Sequence, residues 1–228
     1  MPKKWGNLPK EFQNKDVKPY YDILRKKIFS LILKRIFDIV FSLILIIILS
    51  PVMIILAVLI KLEDGGSIFF RQVRITKNGK DFRIFKFRTM VMNADKLGAK
   101  VTKDKDERIT KMGGKLRNFR LDELPQLFNV LTGDMSFVGT RPEVPKYVKK
   151  YSDEMLATLL MPAGVTSLAS IKYKDESKLI GASDDPDKIY IEKILPQKMK
   201  YNLQSIKEFN FINDIKILFK TVGAVIKG

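Results

Sequence analysis

The run from Ile36 to Ile60 constrains this chain most. Its 25 residues are broken only by Asp38, Ser42, Ser50 and Pro51. As a straight helix it would be roughly 37 Å long, enough to cross a bilayer. Two features oppose a plain crossing. Pro51 has no N–H to offer Ile47, so a kink is expected there, with the Ser50 hydroxyl helping to satisfy the freed backbone. Both flanks are also basic. Residues 1–35 hold ten Lys/Arg against three Asp/Glu, and Lys61, Arg71, Arg74 and Lys77 follow the run. Basic flanks favour the cytoplasmic side. A helix–break–helix that enters and leaves by one face accommodates both features if protein or water shields the broken backbone. A kinked single span is the competing arrangement. Asp38 follows Lys34 by four residues and Arg35 by three, so it can pair with either. A secretory signal is not expected, because the apolar run starts deep in the chain and no small-residue cleavage site follows it.

The whole chain has 228 residues, with 42 Lys/Arg and 25 Asp/Glu for a net +17. That excess favours anionic partners: nucleic acid, anionic lipid or phosphorylated small molecules. There is no His and no Cys. Disulfides, Ser-His-Asp triads, Cys-His dyads and the common zinc sites are therefore excluded. Catalysis would rest on Asp, Glu, Lys, Arg, Tyr, Ser or Thr, and a metal would be a hard cation held by oxygen, with Mg²⁺ the first choice.

The pattern divides the chain into a basic N-terminal extension (1–33), a membrane segment (34–61) and a globular domain (62–228). In the first, Tyr20 to Leu33 is expected to form an interfacial helix. In the last, Ser67–Arg74 and Asp81–Phe87 read as strands of a hairpin turned at Asn78-Gly79. Met90–Lys100 reads as a helix and Lys103–Lys115 as a charged loop. Leu121 to Leu131 has helical spacing and ends at Gly133. Pro145–Met161, Ile189–Leu203 and Ile212–Ile226 read as helices, and Lys172–Lys188 as a loop.

Three places can carry chemistry. Arg117-Asn-Phe-Arg120-Leu-Asp122-Glu123-Leu-Pro125 places adjacent carboxylates at an expected helix start, where Pro is tolerated in the first turn. One carboxylate can attack phosphorus while its neighbour holds Mg²⁺. Arg117 and Arg120 can neutralise charge on phosphate oxygens. A helix start that merely favours Asp and Glu would look the same. Gly133-Asp134 through Gly139-Thr140-Arg141-Pro142-Glu143 can present backbone donors and a guanidinium to a nucleotide, or simply be turns. Lys86-Phe-Arg88-Thr89 closes a strand with two cations, suited either to an anion or to a protected sheet edge.

Taken in order, these pieces resemble a known family. Lys34-Arg35 and Asp38 precede an apolar run holding Ser50-Pro51. Phe69-Phe70-Arg71-Gln72, Asn78-Gly79 and Phe85-Lys86-Phe87-Arg88-Thr89-Met90 come next. Leu121-Asp122-Glu123-Leu124-Pro125-Gln126-Leu127 and Gly133-Asp134-Met135-Ser136-Phe137-Val138-Gly139 with Arg141-Pro142 complete the series. The set resembles the bacterial sugar transferases, the monotopic phosphoglycosyl transferases, from about Lys34 to the C-terminus.

The resemblance implies an α+β fold: a monotopic membrane protein with a re-entrant helix broken at Ser50-Pro51, and a mostly helical cytosolic domain carrying a small β-hairpin. It implies transfer of a sugar-1-phosphate from a nucleotide diphosphate sugar, a UDP-sugar first among them, to polyprenyl phosphate. Such a step opens surface glycan assembly at the cytoplasmic face of a bacterial inner membrane, with both termini cytoplasmic. By resemblance Asp122 is the nucleophile, Glu123 binds Mg²⁺ and Arg117 lies near phosphate. Arg88, Lys86, Asp134, Arg141 and Pro142 are expected to bind substrate. Anionic lipid is an expected partner and nucleic acid is not. The short length implies the minimal form of the family. Thr140 stands where the family has Pro, and Ser167 and Ser170 replace its Gly and Gln, so sugar selectivity is open. The rival reading is a non-catalytic, membrane-tethered basic protein that binds nucleic acid or anionic lipid.

Overall fold

The computed structural model describes residues 3–94, 106–173 and 185–226. After two short 3-10 turns, α1 spans Lys18–Lys26 and α2 spans Ile28–Asp64. The expected break in α2 is not an interruption. The helix runs continuously through Pro51, and the Ser50 hydroxyl donates to the Ile47 carbonyl at 2.8 Å, supplying the bond that proline cannot. Gly65, in the left-handed conformation, ends the helix.

An antiparallel hairpin follows, β1 (Phe69–Ile75) and β2 (Asp81–Phe87), in register from Phe69 opposite Phe87 to Ile75 opposite Asp81. Asn78 and Gly79 turn it with positive φ, as their types predict. Met90 does not begin a helix but bridges to Ile109. Residues 91–94 form a turn instead, and 95–100 lie outside the described residues. The expected charged loop instead holds a helix, α3 (Lys111–Asn118), capped by the Thr110 hydroxyl, which accepts from Gly113 N–H. Gly113 reads as a helix breaker, yet a Cβ there would lie 2.1 Å from the Thr89 carbonyl oxygen. Close packing requires the glycine.

A 3-10 turn (Leu121–Glu123) leads into α4 (Gln126–Thr132), which stops at left-handed Gly133. Strand β3 (Met135–Val138) then pairs in parallel with β4 (Ala163–Thr166). Between them the expected helix over 145–161 divides into α5 (Pro145–Val148) and a 3-10 stretch, Glu154–Leu160. Next come α6 (Leu168–Lys172) and α7 (Pro186–Ile189). A π-helical stretch, Tyr190–Ile194, leads from α7 into α8 (Leu195–Lys207), and α9 (Phe211–Ile226) closes the chain. Most of the expected 172–188 loop lies outside the described residues.

Residues 3–33, within the segment read from sequence as an N-terminal extension, pack against the rest of the protein. Phe12, Val17, Tyr20, Tyr21 and Leu24 are buried in one cluster with Leu160, Leu203 and Phe209. Helix α2 is held to the same body along one flank. Phe37, Phe41, Leu45 and Leu49 pack against the cluster around Val130, Met135 and Phe137. Met53 and Ile60 share a second cluster with Phe87 and Leu116. The other flank, including Val40, Leu43, Ile47, Ile54, Ile55 and Leu62, is exposed. Polar bonds fix the start of the helix. Arg35 donates to the Val130 and Leu131 carbonyls near the end of α4. Asp38 makes its hydrogen bonds not with Lys34 or Arg35 but with the Ser136 hydroxyl and the Phe137 N–H. Lys34 bonds the Val138 carbonyl and Asp214.

Candidate active site

The acidic pair lies on the 3-10 turn before α4, not within the first turn of an α-helix. Arg120 enters that turn in the left-handed conformation, φ 53° and ψ 23°. Its carbonyl accepts from the Glu123 N–H at 3.2 Å. Both acidic side chains are close to buried, 12% exposed for Asp122 and 13% for Glu123.

Alternation along β2 brings a cation to them. Phe82 and Ile84 point into the core, so Lys86, two residues on, shares their face. Its Nζ lies 2.8 Å from Glu123 Oε1 and 4.0 Å from Asp122 Oδ2. Asn129 of α4 fixes the register of strand against turn. Its amide oxygen accepts from Phe85 N–H at 2.8 Å, and its amide nitrogen donates to the Arg83 carbonyl at 3.1 Å. Arg141, beyond β3, donates to Glu123 Oε1 at 2.6 Å. Arg117, at the end of α3, donates through Nε to the Thr89 hydroxyl at 2.8 Å.

The two carboxyls diverge electrically. Burial raises Asp122, the Lys86 charge opposes that rise, and Glu123 adds to it. Burial also pushes Glu123 up, but the charges of Arg141 and Lys86 outweigh it and hold Glu123 well below the ordinary range. Burial lowers Lys86 against the pull of Glu123. Two neighbouring carboxyls with opposite shifts suit two different tasks.

Beside the pair opens a cleft of about 390 Å³, lined by Arg117, Arg120, Glu123, Gln126, Arg141 and Ser170 among others. Asp122 is not in its lining and borders it through Glu123. Gln126 is 1% exposed, and neither polar atom of its amide has a partner among the described residues.

Of the residues expected to form the site, Asp122, Glu123, Lys86, Arg117 and Arg141 come together. Three do not join them. Arg88 turns toward α2 and forms a two-pronged ion pair with Asp64, one arm 2.7 Å long. Asp134 faces Lys80 at 3.5 Å and the Thr132 hydroxyl. Pro142 contributes its carbonyl to Arg74 at 3.1 Å. Gly139 of the Gly-rich segment serves packing: a Cβ on the facing Gly164 would lie 2.2 Å from Gly139 N, and the Gly139 N–H bonds the Thr166 carbonyl. Sequence reasoning missed Thr89, Asn129 and Gln126 as site residues. Asn129 left one signal, a polar residue within an apolar helical stripe.

An acidic pair thus lies under clustered cations on a body fastened to a helix long and apolar enough to cross a membrane. The chain belongs to the bacterial sugar transferase family, whose sequence model matches residues 29–228. It is 38% identical over 176 residues to an Aeromonas hydrophila UDP-N-acetylgalactosamine-undecaprenyl-phosphate N-acetylgalactosaminephosphotransferase, covering 75% of this chain and 38% of that protein. It is 36% identical to the Escherichia coli UDP-glucose:undecaprenyl-phosphate glucose-1-phosphate transferase, covering 73% of this chain and 34% of the relative. It is 32% identical to the exopolysaccharide production protein ExoY of Sinorhizobium fredii, covering 73% of this chain and 74% of the relative. The chain thus spans little more than a third of the first two relatives.

Proposed function

We propose that this protein transfers a sugar-1-phosphate from a nucleotide diphosphate sugar, with a UDP-sugar as the first candidate, to a polyprenyl phosphate. The observation that carries this reading is the divided pair, Asp122 raised and Glu123 held charged between Lys86 and Arg141, beside a cationic cleft. The names of the relatives point to the same reaction class.

Asp122 is the nucleophile in this reading. A carboxylate oxygen attacks the phosphorus that bears the sugar. The bond from that phosphorus to the bridging oxygen breaks, and the nucleoside monophosphate leaves with that oxygen and the electron pair. An oxygen of polyprenyl phosphate then attacks the same phosphorus. The lipid diphosphate sugar departs and the Asp122 carboxylate is restored. Lys86, Arg117 and Arg141 hold phosphate oxygens and offset the charge that grows on them.

The residues fit Mg²⁺, which takes one or two carboxylates and completes its shell with water and substrate phosphates. Glu123 and the donor phosphates would hold it. When bound, the ion neutralises phosphate charge during transfer. Among the described residues no group of three or more acidic side chains is placed to hold a metal alone.

Topology belongs to the same proposal. The helix is long and apolar enough to cross a bilayer, but protein packs against one flank of it from Phe37 to Ile60. One flank on the body and the other in lipid supports a helix that stays in the cytoplasmic leaflet. Soluble donor and lipid acceptor then meet at the surface of the inner membrane.

The test supplies labelled UDP-sugars, Mg²⁺ and polyprenyl phosphate to the purified protein. Lipid-linked product with release of nucleoside monophosphate is expected, and neither with Asp122→Asn. Product made at wild-type rate by Asp122→Asn overturns the covalent step. Absence of monophosphate release with every donor overturns the enzyme reading in favour of a basic tether.

A further inference from the structure

Three cations beside the acidic pair are engaged within the protein. Lys86 and Arg141 hold Glu123, and Arg117 bonds Thr89. Arg120 differs. Among the described residues its guanidinium makes no hydrogen bond or ion pair, and the exposed residue lines the same cleft as Glu123, Gln126 and Arg141. Its backbone is also unusual. Outside glycine, the left-handed region is occupied by only two other described residues, Asn78 and Asn93. Asparagine tolerates that region, whereas arginine has no such aptitude. An arginine in that region, at the entrance of the acidic turn, is a backbone cost that its own contacts do not offset.

We propose that Arg120 binds the second phosphate of the donor, the one that departs with the nucleoside. This deepens the function proposed above and rests on it. In that reaction the attacked phosphorus must lie against Asp122, within reach of Lys86 and the other cations already engaged there. Breaking the bridge leaves a new negative charge on the departing phosphate. Arg120, two residues before Asp122 and uncommitted at rest, is the cation available to receive it. Its planar fork matches two phosphate oxygens at once. Arg120 is thus a leaving-group ligand, distinct from the groups that hold the transferred phosphate.

The backbone supplies an internal control, since glycine and asparagine adopt the left-handed conformation without the guanidinium. The full chain is compared with Arg120→Gly, Arg120→Asn and Arg120→Lys. Uridine monophosphate binding is measured directly by calorimetry, and donor KM and kcat under turnover. Arg120→Gly and Arg120→Asn are expected to keep or raise the melting midpoint while weakening monophosphate binding about tenfold, the scale of one charge-assisted contact. Donor KM should rise in parallel, binding should lose part of its salt dependence, and Arg120→Lys should recover part of the affinity. Unchanged monophosphate affinity in Arg120→Gly and Arg120→Asn overturns the proposal, as does affinity lost only in proportion to a lowered melting midpoint. The binding measurement needs no turnover. A wild-type protein that binds monophosphate through Arg120 but transfers no sugar phosphate would overturn the enzyme reading, not the ligand assignment.

Discussion

Arg141 donates to Glu123 Oε1 across 2.6 Å, tying the loop after β3 to the acidic turn 18 residues earlier. The contact is charge-assisted, and it ends on a carboxylate that is otherwise nearly closed to water. Loss of Arg141 leaves Glu123 with Lys86 alone. Glu123 is held well below its ordinary range, so its ionised form stabilises the fold above the unfolded-state pKa and that stability is lost as pH falls through the folded value. Arg141→Ala raises the folded value, so acid unfolding should begin at higher pH than in the wild type. Activity should fall about a hundredfold, as for removal of one oxyanion donor, with partial recovery in Arg141→Lys. Denaturation monitored against pH and steady-state kcat/KM check both expectations.

Lys86 sits between the carboxyls and lowers Asp122 against the burial that raises it. The proposed nucleophile must be ionised to attack, so under that proposal activity should climb with pH through the folded pKa of Asp122. Removing the opposing cation raises that value further. Lys86→Met is expected to shift the acid limb of the kcat/KM profile to higher pH, besides lowering its plateau. A limb that stays in place would mean that another group titrates there.

Asn129 bonds both Phe85 N–H and the Arg83 carbonyl. Truncation strands two backbone groups behind α4. Asn129→Ala should cost about 1–3 kcal/mol, read from urea midpoints. It should also reduce turnover, because β2 carries Lys86.

Gln126 is the reverse case. Its amide is buried with neither polar atom partnered among the described residues. Gln126→Met keeps similar volume and removes the unpaired group. It is expected to raise the melting temperature, whereas Gln126→Glu should lower it by burying a charge. A lower midpoint for Gln126→Met would show that the amide is satisfied in solution.

What sequence made legible, and what it hid, follows from distance along the chain. The apolar run and the Asn78-Gly79 turn are local patterns, and each reappears in the fold. Helix α3 was hidden because Gly113-Gly114 reads as a breaker, while the reason for Gly113 is Thr89, 24 residues away. Arg88 looked like a substrate ligand because a strand end with two cations does not reveal which of them turns to Asp64. Glu143 is buried with Tyr190 and Lys198, which bond it from 47 and 55 residues away. No local spacing announces that group, yet it fixes the segment that aims Arg141.

The apolar helix bears the remaining prediction. A helix of 37 residues would be about 55 Å long if straight, and both its ends are fastened to one body. Arg35 bonds α4, and Asp64 pairs with Arg88 at the end of β2. A crossing would carry one of these attachments, with its charged partners, to the far side of the lipid. The arrangement is compatible with the membrane only if the exposed flank alone meets lipid. Single cysteines at Lys4 and Lys207, introduced into a chain with no cysteine of its own, should therefore both resist an impermeant thiol reagent applied outside intact cells. Both should react once the inner membrane is opened. Labelling of either from outside would establish a crossing, and the attachments at Arg35 and Asp64 could not then both persist. Arg88→Ala releases one end of the helix. It should lower stability in detergent by removing the ion pair with Asp64, without exposing Lys4 to the outside, because Arg35 and Lys34 still hold the other end.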